Sequence, residues 1–142
     1  MLLCASRNEI GNKKKIEKIV GKPCTIADRV KIGGVHSPEM DIISSSVKLH
    51  NLIILNKSHS TSCTLELRPG GIILRFFAAM NKYMFLIPYY KLSIHKINTS
   101  IYAIHKDDYH VNIDVRNEAG RDFIRKILKS KSDSYPTFID DL

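Results

Sequence analysis

From Val47 to Val115 apolar and polar residues alternate through one short segment after another, and a turn signal closes each segment. Period-two alternation is the mark of a strand with one face in a core and one in solvent. The spacing predicts strands over 47–55, 63–68, 72–77, 83–89, 91–97, 101–106 and 109–115. Pro69-Gly70-Gly71, Asn98-Thr99-Ser100 and Asp107-Asp108 supply turn chemistry between them. The pattern then changes once, to an amphipathic helix over 117–131 with Asn117 at its N-cap and Gly120, Phe123, Ile124, Ile127 and Leu128 on one stripe. About seven strands with short connections, followed by one helix, leave few architectures. The expected fold is mainly β, a bent antiparallel barrel closed by a C-terminal helix.

The chain of 142 residues is long enough for one domain with a real core. No apolar run approaches the ~20 residues that cross a bilayer. The start, Met1-Leu2-Leu3-Cys4-Ala5, has some likeness to a lipoprotein leader but lacks a basic n-region and a full apolar stretch. Cys4, Cys24 and Cys63 are odd in number and lack metal-type spacing. They fit a reducing compartment, so a cytoplasmic protein without a disulfide framework is expected. The formal charge of +8 is compatible with an anionic partner. That charge is dispersed: Lys13-Lys14-Lys15 forms one cluster, and Arg121, Arg125, Lys126, Lys129 and Lys131 another on the last helix, where they complement the helix dipole.

The first third is less regular. Ile10, Ile16, Ile19 and Val20 predict a short helix over 7–20, ended by Gly21 and Pro23. Cys24-Thr25-Ile26 and Val30-Lys31-Ile32 read as short strands. The chain therefore divides into an N-terminal helical extension over 1–46, a β domain over 47–131 and an acidic tail over 132–142.

Two segments carry a family resemblance. Leu65-Glu66-Leu67-Arg68-Pro69-Gly70-Gly71-Ile72-Ile73-Leu74 and Phe85-Leu86-Ile87-Pro88-Tyr89, with the terminal helix, resemble pleckstrin-homology-like domains, particularly the bacterial PH-like and GRAM-related branch. The resemblance covers 47–131, about two thirds of the chain. It implies a strongly bent barrel capped by the helix, and a binding module for lipids, peptides or proteins with no catalytic role. It also implies a place for basic residues in the first hairpin. Here Lys57 lies in that loop and Arg68 closes the strand, but Glu66 stands where a cation is needed. The helix tryptophan of the eukaryotic relatives is absent, and Phe123 is its apolar substitute.

The chemistry-bearing residues remain. His105, Asp107, Asp108 and His110 flank one hairpin and contain metal-ligand types, yet Asp107-Asp108 is ordinary turn chemistry, so no metal and no cofactor is expected. The serines lack a nucleophile-elbow setting, and Pro69-Gly70-Gly71 lacks the ending of a phosphate loop. Arg75, Lys82, Tyr90, Lys91 and Lys96 could combine charge with stacking on a nucleic acid, as an OB-type barrel does. The order of elements favours instead a non-catalytic module for a protein or peptide. An anionic lipid surface at Lys57, His59, Arg75 and Lys82 is the second expectation, and nucleic acid the third. Nothing in the sequence fixes the oligomeric state.

Overall fold

The computed structural model describes residues 2–4, 9–45, 62–78, 81–107 and 109–134. Among them are eight strands: β1 (Leu2–Cys4), β2 (Met40–Ser45), β3 (Ser62–Arg68), β4 (Gly71–Ala78), β5 (Asn81–Pro88), β6 (Ser93–Lys96), β7 (Ile101–Lys106) and β8 (Tyr109–Asp114). Three α-helices accompany them, α1 (Glu9–Val20), α2 (Ile26–Ile32) and α3 (Glu118–Ser134), with a short 3-10 turn at Tyr89–Lys91. All pairings are antiparallel, in the order β1-β5-β4-β3-β2-β8-β7-β6. The protein is thus mainly β, with a C-terminal helix and an N-terminal helix, as its alternation predicts.

Among the described residues the sheet is open, with β1 and β6 at its edges, yet it curls strongly. In the sheet β5 and β8 are four places apart, which in a flat sheet is about 19 Å. The Phe85 ring on β5 nevertheless meets Tyr109 on β8 edge to face, with centroids 5.4 Å apart. Side chains of one parity from β2 to β8 converge inside this curl: Met40, Leu65, Leu67, Leu74, Phe85, Ile87, Ile104 and Ile113 are all buried in one cluster. Phe123, Ile124 and Ile127 of α3 close it. The helix starts where its sequence requires, because Asn117 Oδ1 accepts the Gly120 N–H at 2.7 Å. Leu128, expected on the buried stripe, is 43% exposed; the four buried positions already span the contacting face and leave it at the rim.

The outer face of β4 and β5 has a second, smaller core. Ile16 and Val20 of α1 pack there on Ile73, Met84 and Leu86. Gly71 permits the close approach at the helix end. A Cβ at that position would stand 2.2 Å from Ile87 O and 2.8 Å from a Val20 methyl. The segments before residue 47 therefore share the sheet and its cores: β2 pairs with β3 and β8, and β1 covers the edge of β5.

Three expectations change. Residues 24–32 are not two short strands. Arg29 N donates to Thr25 O at 2.9 Å, and Gly33 and Gly34 both donate to Arg29 O, so the segment is helix α2. The β-branched residues suggested strands, while Thr25 before and Gly33-Gly34 after were helix boundary signals. The strand expected over 91–97 is confined to Ser93–Lys96, which leaves Ile97 beyond its end. Its N–H closes the β6–β7 connection on Ile101 O at 2.8 Å, and its side chain is exposed. The helix expected to end at 131 continues to Ser134. The strand expected over 47–55 lies outside the described residues.

Candidate binding edge

β6 is the last strand of the sheet, and among the described residues it pairs only with β7. In an antiparallel ladder alternate residues aim their N–H and C=O at a given neighbour. Ile97 N donates to Ile101 O, so Ser93, His95 and Ile97 share the parity that faces β7. Ile94 and Lys96 consequently turn their backbone groups away from the sheet. The strand is held at its start by α3, whose Lys131 ammonium donates to Leu92 O. Ile94 packs on the main core, while Tyr90 and Ile97 expose apolar side chains on either side of the strand. Such an edge can hydrogen-bond a further extended segment.

On the outer face of the same strands, His95, His105 and His110 form a ladder across β6, β7 and β8. The His105 ring lies 5.4 Å from that of His95 and 5.5 Å from that of His110, centroid to centroid. His95 Nε2 is 2.7 Å from Ser93 Oγ. Burial first, and then the neighbouring His110 and His95 rings, hold the His105 imidazole below its ordinary value. His105 and His110 were brought together in the sequence reading by their hairpin. His95 was not, because only the register Ser93↔His105 and His95↔Ala103 sets it beside them. Among the described residues no group of three or more His, Cys, Asp or Glu side chains is arranged to hold a metal ion.

A cleft of about 500 Å³ runs beside the C-terminal half of α3. Cys24, Leu67, Pro69 and Tyr89 form its floor, and Lys126 and Lys129 lie on its helical side. Its cations are partly committed: Lys126 Nζ donates to Gly33 O at 2.9 Å. Tyr89 Oη donates to Arg68 O at 2.9 Å, and burial pushes its phenol up to about 12.

The four residues singled out as a basic surface separate. Lys57 and His59 lie outside the described residues. Arg75 and Lys82 meet at a hollow of about 240 Å³ floored by Phe76, Tyr83 and Met84. Arg75 is committed to an internal partner, however, since its Nη1 lies 2.5 Å from Glu66 Oε1. Glu66 is buried and also receives Arg68 Nε, with His36 Nε2 at 3.2 Å. Burial raises the Glu66 pKa, but the Arg75 charge and hydrogen bonds from Arg68 and Arg75 outweigh it and hold it below the ordinary 4.5. The residue that interrupts a basic pattern in the sequence is thus the centre of an ion network. Cross-strand register places Glu66 on β3 near Arg75 on β4, a proximity that sequence spacing does not show.

The Cys24 and Cys63 thiols are equally internal. Burial, then the Asp41 charge, push Cys63 up to about 12, and Cys24 Sγ points to Leu67 O at 3.7 Å. Comparison with known proteins finds no matching family model, no matching curated protein and no matching solved structure.

Proposed function

We propose that this chain is a non-catalytic interaction module that binds an extended segment of a protein partner at the β6 edge. The observation that carries the reading is the open ladder of Ile94 and Lys96, whose backbone donors and acceptors face away from the sheet between exposed Tyr90 and Ile97. Main-chain hydrogen bonds would supply affinity, and the flanking apolar side chains shape. The curled antiparallel sheet with its helical cap supports a pleckstrin-homology-like assignment. The protonated, buried Cys63 supports a role without thiol chemistry. Reduced Cys24 and Cys63 support a cytoplasmic setting, and among the described residues no helix is long and apolar enough to cross a membrane.

An anionic lipid surface is the second reading. The hollow that brings Arg75 and Lys82 together favours it, but the Glu66 pairing of Arg75 weakens it.

The test is amide NMR during titration with an acetylated peptide of alternating Val and Thr. Shifts should concentrate at Ile94, Lys96 and Ile97. Proline is tolerated on an edge strand where the N–H points outward, but it removes that donor. Lys96→Pro should therefore fold normally and lose binding. Anionic vesicles that bind at physiological salt, with the shifts at Arg75 and Lys82 instead, would establish the lipid reading.

A further inference from the structure

We infer that the segment received by β6 is acidic and antiparallel, with a Glu or Asp carboxylate set against His95 and within reach of His105. The inference rests on the edge-binding reading above and adds the partner's chemistry and its pH response.

The backbone parity of β6 fixes the geometry. His95 aims its N–H and C=O at β7, so the residue opposite it on a newly added antiparallel strand forms a non-hydrogen-bonded pair. In such pairs the Cα atoms approach to about 4.5 Å and the side chains lie closest. Both side chains stand on the outer face, where His105 already touches His95.

The electrostatics select the partner. Lys96 is exposed on the strand, and Lys131 is anchored at its start. The β7–β8 turn contributes Asp107, but that carboxylate is paired with Lys91 at 3.4 Å. Lys106 turns inward, its ammonium 5.5 Å from the Phe85 ring centroid, and Asn112, next along β8, is bonded to Ser44. The charges that act on His105 are the His110 and His95 rings themselves. Among the described residues three imidazoles thus share a face with no carboxylate set against them. An incoming carboxylate supplies the missing counter-charge and draws a proton onto the ladder. Binding should therefore strengthen as pH falls through the histidine range, because the bound state holds more protons than the free one.

The experiment compares two fluorescein-labelled, acetylated peptides by anisotropy: the neutral Val/Thr repeat, and the same repeat with Glu at alternate positions on one face. The acidic peptide should bind about tenfold more tightly at about pH 6 than at about pH 8, whereas the neutral peptide should show no such change. His95→Gln, at an exposed position, should remove the pH dependence of acidic-peptide binding. Proton NMR of the imidazoles gives a second reading, since the pKa of His105, held down in the free protein, should rise when the acidic peptide is bound. Equal affinity for both peptides, or an acidic-peptide affinity flat with pH, overturns this inference and leaves edge binding intact. Binding of neither peptide overturns both. A preference for single-stranded nucleic acid over the acidic peptide at this edge also overturns it.

Discussion

Replacing Glu66 with glutamine removes one carboxylate from between two guanidinium groups. The Arg68 side chain is 10% exposed and that of Arg75 36% exposed. Arg75 can recover hydration, so its share is that of a surface pair, below about 1 kcal/mol. Arg68 cannot. Removing one member of a buried pair costs about 3–5 kcal/mol, because the remaining charge stays desolvated. Glutamine keeps one carbonyl acceptor, and Arg68 retains Gly21 O at 3.2 Å, which lowers the expected loss to about 2–3 kcal/mol. For a chain of this length that corresponds to a fall of about 4–10 °C in Tm. The pH response gives the sharper test. Glu66 has a depressed folded-state pKa, so its contribution is complete above the ordinary 4.5 and is lost as pH falls through the lower folded value. Urea melts of wild type and Glu66→Gln should therefore differ most at neutral pH and converge in acid, where the wild-type carboxyl is itself protonated. A neutral-pH difference below about 0.5 kcal/mol, the size of an ordinary surface substitution, would refute the argument.

Three further outcomes follow from the packing. Phe123→Ala should lose about 3–5 kcal/mol in denaturant melts, since the ring is 3% exposed and closes the main core; melts matching wild type would mean that α3 is not its cap. Gly71→Ala should cost about 2–3 kcal/mol, because the new methyl meets the Ile87 carbonyl and the Pro88 backbone; an unchanged midpoint would show that the strand yields there. Chelator should leave Tm unchanged, as no metal-holding group occurs among the described residues; a large drop, with zinc recovered from the protein, would reverse this.

Much of the β architecture was legible because strands such as β3 and β8 alternate in polarity, whereas β4 and β5, covered on both faces, read as nearly continuous apolar runs. Cys63, Leu65 and Leu67 alternate in the chain and are buried together in the structure. The terminal helix was legible for the same reason, with its cap and stripe both local signals. What could not be read was the strand order, which depends on contacts distant in sequence. The strand Met40–Ser45 has weak alternation, MDIISS, and it gains its place by pairing with β3 and β8. The same limit hid the candidate site. Ser93–Lys96 looks like any short strand until the order shows it to be an edge, and Glu66 looks like a flaw in a basic pattern until register brings Arg75 across from β4.

The two edges of this sheet also differ in how they avoid pairing with another copy of the chain. Exposed edges invite association, and short length and lysine are common means of blunting them. β6 uses both, being four residues long and ending in Lys96. In an antiparallel pair of β6 edges with Lys96 set against Lys96 of the other copy, like charges would meet at close cross-strand distance. The features that welcome an acidic strand are thus the ones that reject a second β6, and specificity arises from repulsion as well as attraction. Replacing His95 and Lys96 with valine should remove that repulsion and raise β propensity at the edge. The variant His95→Val/Lys96→Val should therefore self-associate more strongly than wild type in sedimentation velocity at matched concentration. The single variant Arg116→Val, an exposed cation away from this edge, should not. Equal association of the double variant and wild type would mean that charge does not guard β6, and would also remove the electrostatic ground for an acidic partner there.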